Sequence, residues 1–172
     1  MGGPSPTFRA SLEAALSRNA LILAAAGGSV LLLAGAFAFQ AMGYLPCAMC
    51  WWQRWPHMAA IVVGALALVA RGPALPTLGA LAALSTALLG IFHTGVERDW
   101  WEGPASCTGN GGLDGGSLLS VEGPRLVMCD QVSWALRGIS MPSWNALLSL
   151  VLVALWVMAA RRSGPARLSR AA

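Results

Sequence analysis

Charge is what this 172-residue chain has least of: 10% of its residues are charged against 56% hydrophobic, and lysine is absent, so that all eleven basic residues are arginine. An ordinary soluble domain wraps its core in a charged shell, so this composition excludes one and makes lipid the expected solvent. The small basic excess does not form the clustered patch that nucleic acid needs, and no nucleic-acid partner is expected. The chain also lacks an internal repeat and a second C-x-x-C, the usual other half of a zinc ligand set, and no metal is expected.

What is present are long apolar runs. A bilayer core of about 30 Å takes about 20 apolar residues per helix. Spans are expected at about 20–40, 49–70, 75–96 and 143–160, which makes the chain a single all-α membrane domain, a four-helix bundle in a lipid bilayer. The second span reaches full length only by taking in Gln53, Arg54 and His57. Polar groups forced into a span are a functional signal. Arg9, Arg18, Arg71, Arg161, Arg162, Arg167 and Arg170 fall on one side of this arrangement, which puts both termini in the cytoplasm. Loops at about 41–48 and 97–142 then face outward, the second holding six of the seven acidic residues. Ala36, Phe37 and Ala38 resemble a signal cleavage pattern, but removal would leave an odd number of spans, so the first span is expected to be retained.

Within the bundle, Gly27, Gly28, Gly35, Gly79 and Gly90 suit close helix packing, and Pro73 with Pro76 brackets a tight turn between spans two and three. Pro56 predicts a local kink in span two. In the long loop Trp100 and Trp101 read as interfacial anchors, as do Trp51, Trp52 and Trp55 beside the second span. A stretch with glycine at 103, 109, 111, 112, 115 and 116 reads as a mobile hinge. Val132, Ala135, Leu136 and Ile139 recur at helical spacing, which predicts a short interfacial helix ended by Gly138.

All four cysteines, Cys47, Cys50, Cys107 and Cys129, fall on the outer side, which is oxidising if the membrane is a bacterial inner membrane. For Cys107 and Cys129 two readings stand: a static bridge across about 22 residues, worth about 3 kcal/mol by chain entropy, or a redox pair. Cys50, Arg54 and His57 lie at i, i+4 and i+7 and share a helix face. A guanidinium one turn from Cys50 favours its thiolate, the form that attacks a disulfide or an electrophilic quinone. Arg54 could instead snorkel to the interface. His93 is read either as a packing residue or as a hydrogen-bond donor to a quinone.

These residues resemble the disulfide bond formation protein B family, DsbB, over most of the chain. The resemblance is carried by Pro46-Cys47-Ala48-Met49-Cys50 with Gln53-Arg54, by the two loop cysteines, by Trp134, and by the run from Gly138 to Trp144 that leads into the last span. It implies an inner-membrane protein-dithiol:quinone oxidoreductase. In that family the loop pair, here Cys107/Cys129, takes electrons from a periplasmic thioredoxin-like DsbA-type oxidase, which attacks the first of the two. The C-x-x-C pair reoxidises the loop pair and passes the electrons to the membrane quinone pool, ubiquinone or menaquinone, through the cysteine matching Cys50, beside the arginine matching Arg54. DsbA-type oxidases are strong oxidants, at about −120 mV, so a downhill sink such as a quinone is required.

Two rivals remain open on sequence. One is a membrane assembly factor with structural disulfides. The other is a vitamin K epoxide reductase-like quinone reductase, against which the order of the motifs argues, because here the C-x-x-C precedes the loop cysteines.

Overall fold

The computed structural model describes residues 7, 13, 16–105, 107 and 128–163. Helix α1 runs Arg18–Ala41, with the Ser17 hydroxyl accepting the Ala20 N–H at 3.3 Å as its N-cap. Helix α2 runs Ala48–Val69, α3 Ala74–Glu97 and α4 Met141–Arg162. Pro142 sits in the first turn of α4, where its missing N–H costs nothing. Gly72, at φ 114°, turns the chain between α2 and α3. Each helix packs against two others, in the ring α1–α2–α3–α4–α1.

Three of the four, α1, α3 and α4, are long and apolar enough to cross a membrane. Helix α2 is not among them, because its first turns carry Gln53, Arg54 and His57. It runs unbroken through Pro56. Outward-facing Leu31, Val62, Val69, Leu81 and Val151 are well exposed, as lipid-facing side chains are.

The interior is layered. At one end Trp156 is fully buried among Leu21, Ile22, Ala25, Ala67, Ala83 and Leu152. At the other, Cys47, Met49, Val96, Cys107 and Cys129 form a second buried cluster. Between them lie buried polar side chains, Gln53, His57 and Thr86. Of the glycines expected to bring helices together, Gly79 faces the Trp156 ring, Gly28 faces Leu152 and Gly90 faces Pro142 and Ala146. Gly27 and Gly35 face open space instead.

The expected interfacial helix near Trp134 is not there. Ala135–Leu136 (β1) and Ile139–Ser140 (β2) form an antiparallel hairpin, pairing Ala135 with Ser140 and Leu136 with Ile139. The reason is the loop between the strands: Arg137 and Gly138 both have positive φ, at 54° and 78°, as a two-residue type I′ turn requires. Gly138 makes the turn of a hairpin and ends no helix. Most of the glycine-rich hinge, from Gly109 to Gly116, lies outside the described residues.

Candidate active site

The site starts from the end of α2. Cys47 is the helix N-cap, extended at φ −76° and ψ 174°, and its Sγ accepts the Cys50 N–H at 3.3 Å, as a serine oxygen would. This folds the C-x-x-C into the first turn and brings Cys47 Sγ to 2.9 Å from Cys50 Sγ. Both are free thiols, Cys47 buried and Cys50 partly exposed. The hydrogen bond that Cys47 donates to Cys50, together with burial, pushes the Cys47 thiol well up. Cys47 keeps its proton, and negative charge in the pair belongs on Cys50.

Arg54 is one turn on. It does not snorkel: it is 5% exposed and clamped against α1. One terminal nitrogen donates to Gln40 Oε1 at 2.7 Å and the other to the Ala36 carbonyl at 3.3 Å. Its guanidinium lies over Phe37 and Trp51, 4.7 and 4.6 Å from their centroids. Trp51 is therefore more than an interfacial anchor. Gln40 and Phe37 were missed in the sequence reading. Gln40 is the only amide side chain near the end of an otherwise apolar run, and that was the available signal.

The second pair comes to the first. Cys107 and Cys129 are joined in a disulfide, both buried, with Cys129 N–H donating to the Cys107 carbonyl at 2.7 Å. Cys47 Sγ, Cys129 Sγ and a His93 ring nitrogen all lie within 4.8 Å of one another. The sequence reading put the loop pair on a flexible arm with Cys129 held near the bilayer, and Cys129 stands beside Cys47. His93 Nε2 is 3.7 Å from Cys47 Sγ. On its other side His93 joins a buried chain: Gln53 Nε2 lies 2.9 Å from His93 Nδ1, Asn145 Nδ2 donates to Gln53 Oε1 at 2.8 Å, and His57 Nε2 is 3.0 Å from Asn145 Oδ1.

A cavity of about 340 Å³ opens along these residues. Cys47, Cys50, Gln53, Arg54, His57, His93 and Asn145 line its polar wall, and Leu32, Phe39, Trp134, Met141, Trp144 and Leu148 contribute to its apolar one. Trp134, on the hairpin approach, packs edge-on to Phe39 at 4.9 Å between centroids and closes one side. Among the described residues, Arg54 Nε and His57 Nδ1 are buried without a hydrogen-bond partner.

The sequence model of the disulfide bond formation protein DsbB matches residues 18–159. The chain belongs to the DsbB family. Disulfide bond formation protein B of Stutzerimonas stutzeri (strain A1501) is 28% identical over 165 residues, covering 87% of this chain and 99% of that protein. No solved structure matches the chain. As a DsbB family member it is a membrane oxidoreductase of disulfide bond formation, and its apolar helices accord with that setting.

Proposed function

We propose that this protein oxidises a periplasmic DsbA-type dithiol protein by disulfide exchange and passes the two electrons to a membrane quinone. The observation that carries the reading is the run of four sulfurs: Cys50 touches Cys47, and Cys47 lies within exchange range of Cys129, which is bonded to Cys107. A structural staple has no use for a free thiol pair packed against it.

The proposed exchange proceeds through sulfur alone. The partner's thiolate attacks Cys107, the Cys107–Cys129 bond breaks, and Cys129 leaves as a thiolate. In the oxidised form of the C-x-x-C pair, Cys129 attacks Cys47; the Cys47–Cys129 bond forms and Cys50 leaves. Arg54 and the helix N-terminus then stabilise the Cys50 thiolate, the better leaving group of the two. The partner's second thiol resolves its mixed disulfide and releases Cys107 as a thiolate. Cys107 attacks Cys129, the Cys107–Cys129 bond re-forms, and Cys47 leaves, so one partner dithiol becomes a disulfide and the two electrons rest on the reduced Cys47/Cys50 pair.

The residues present fit a quinone. The cavity offers a flat apolar wall for a ring, and Arg54 Nε is a buried donor left over for a carbonyl acceptor, beside Cys50. When bound there, a quinone supplies the two-electron, two-proton sink that a strongly oxidising partner requires. Arg54 would hold the ring beside Cys50, and Phe39, Trp134 and Trp144 would keep water from the thiolate.

The test is quinone reduction by the purified protein supplied with a reduced DsbA-type donor. Cys50→Ser is expected to abolish it while Cys107 still forms a mixed disulfide with the donor. Unimpaired turnover in that variant would remove the assignment.

A further inference from the structure

His93 faces sulfur, and its neighbours dictate how. Gln53 Nε2 lies 3.2 Å from the Met49 carbonyl, which can only accept, while Gln53 Oε1 takes an N–H of Asn145 at 2.8 Å. These two contacts fix the Gln53 amide with its nitrogen toward His93. His93 Nδ1, 2.9 Å from that nitrogen, must then accept, and the neutral ring carries its hydrogen on Nε2. A protonated Nε2 has no lone pair for a metal, so the Cys47, His93 and Cys129 cluster is a donor facing two sulfurs rather than a ligand set. That N–H faces Cys47 Sγ, 3.7 Å away, and Cys129 Sγ belongs to the same cluster, its atoms within 4.8 Å of one another.

We propose that His93 is a positioning residue for exchange between the two cysteine pairs: its Nε2–H, set by Gln53, holds Cys47 Sγ turned toward Cys129 Sγ. The inference rests on the exchange reading above. It concerns the step in which the Cys129 thiolate attacks Cys47 Sγ, the Cys47–Cys50 bond breaks, the Cys47–Cys129 bond forms and Cys50 leaves as a thiolate. No electron or proton enters or leaves the three sulfurs. Exchange needs direct approach of thiolate to disulfide, so a contact that holds the attacked sulfur turned toward the attacking one raises the share of time spent in reach. Gln53 acts one bond further out, as partners of metal-bound or catalytic histidines do when they fix a tautomer.

The test uses full-length, quinone-free protein carrying Cys107→Ser, which leaves three cysteines and, after two-electron oxidation, one disulfide. Its isomers Cys47–Cys50 and Cys47–Cys129 differ only in arrangement, so their ratio is independent of the redox buffer. Acid trapping, alkylation and peptide mapping by mass spectrometry read that ratio. Adding His93→Phe is expected to lower the Cys47–Cys129 share about fivefold, the effect of one hydrogen bond. His93→Gln, whose amide nitrogen can stand where Nε2 stood, is expected to restore it. An unchanged ratio in His93→Phe overturns the inference, and so does an equal fall in both variants, which would mean packing rather than donation. Should His93→Phe not fold, Gln53→Leu keeps the histidine and frees its tautomer; the ratio is expected to fall there too, and a constant one is equally fatal. Absence of any Cys47–Cys129 bond with His93 intact would instead remove the exchange reading itself.

Discussion

Arg54 is held by residues from two helices. Its terminal nitrogens donate to Gln40 and the Ala36 carbonyl, its plane is sandwiched by Phe37 and Trp51, and Nε is buried without a hydrogen-bond partner among the described residues. Arg54→Met is expected to raise the apparent KM for quinone about tenfold, the loss of one hydrogen bond from a charged group, with the donor KM unchanged in steady-state assays. Arg54→Lys restores charge but not the planar stack or the paired donors, and is expected to recover little. Equal loss of both activities would assign Arg54 to folding. Which thiol carries charge is separately measurable. With the Cys47 thiol pushed up, it stays protonated at neutral pH, so one equivalent of iodoacetamide on the fully reduced protein is expected to label Cys50 first. Label on Cys47 would reverse the leaving-group order. The shared face of Cys50, Arg54 and His57 was legible because helical spacing is local. Phe37 and Gln40 were not, since a contact between α1 and α2 leaves no periodic trace in either, and Trp51 has the same composition signal whether it meets lipid or a guanidinium.

Elements differ in how plainly the sequence announces them. The four long helices follow from apolar runs and breakers, and their observed bounds lie close to the expected spans. The hairpin between Trp134 and α4 did not follow, because apolar residues at 132, 135, 136 and 139 fit a helical period while two backbone angles decide otherwise. Arg137 and Gly138 adopt positive φ, a conformation that breaks any helix and matches the twist of paired strands. The hairpin matters because Met141 N–H donates to the Trp134 carbonyl at 3.3 Å, tying the start of α4 to a wall of the cavity. Gly138→Val places a β-branched residue at φ 78° and is expected to cost about 1–2 kcal/mol, read as a lowered Tm together with a raised quinone KM. A Tm equal to that of the parent protein would mean that the turn relaxes without cost. Small residues show the same limit: Gly79 and Gly27 look alike in sequence, but only Gly79 faces a ring, and only the packed partner, Trp156, distinguishes them.

At the scale of the whole molecule, the two ends of the bundle are chemically opposite. All four cysteines gather at one end. At the other, Arg18 donates to Ser163 Oγ at 2.8 Å and to the Ala70 carbonyl at 2.9 Å, tying together the ends of α1, α2 and α4, with Arg71, Arg161 and Arg162 nearby in sequence. Arginine excess marks the cytoplasmic end of membrane helices, so the proposed orientation sets the cysteine end outside, where the proposed dithiol partner would meet Cys107. This orientation can be measured with single cysteines placed in a background whose four native cysteines are serine. Tyr44, in the connection between α1 and α2, and Arg71, in the turn between α2 and α3, are both exposed and stand at opposite ends of α2. Tyr44→Cys is expected to react with a membrane-impermeant maleimide in cells whose inner membrane is intact, and Arg71→Cys only after that membrane is permeabilised. The reverse pattern would put the cysteines in the reducing cytoplasm, where a resting Cys107–Cys129 disulfide could not persist, and would exclude a periplasmic donor. Labelling of both in intact cells would mean that α2, the one of the four helices not apolar enough by composition to cross a membrane, does not span.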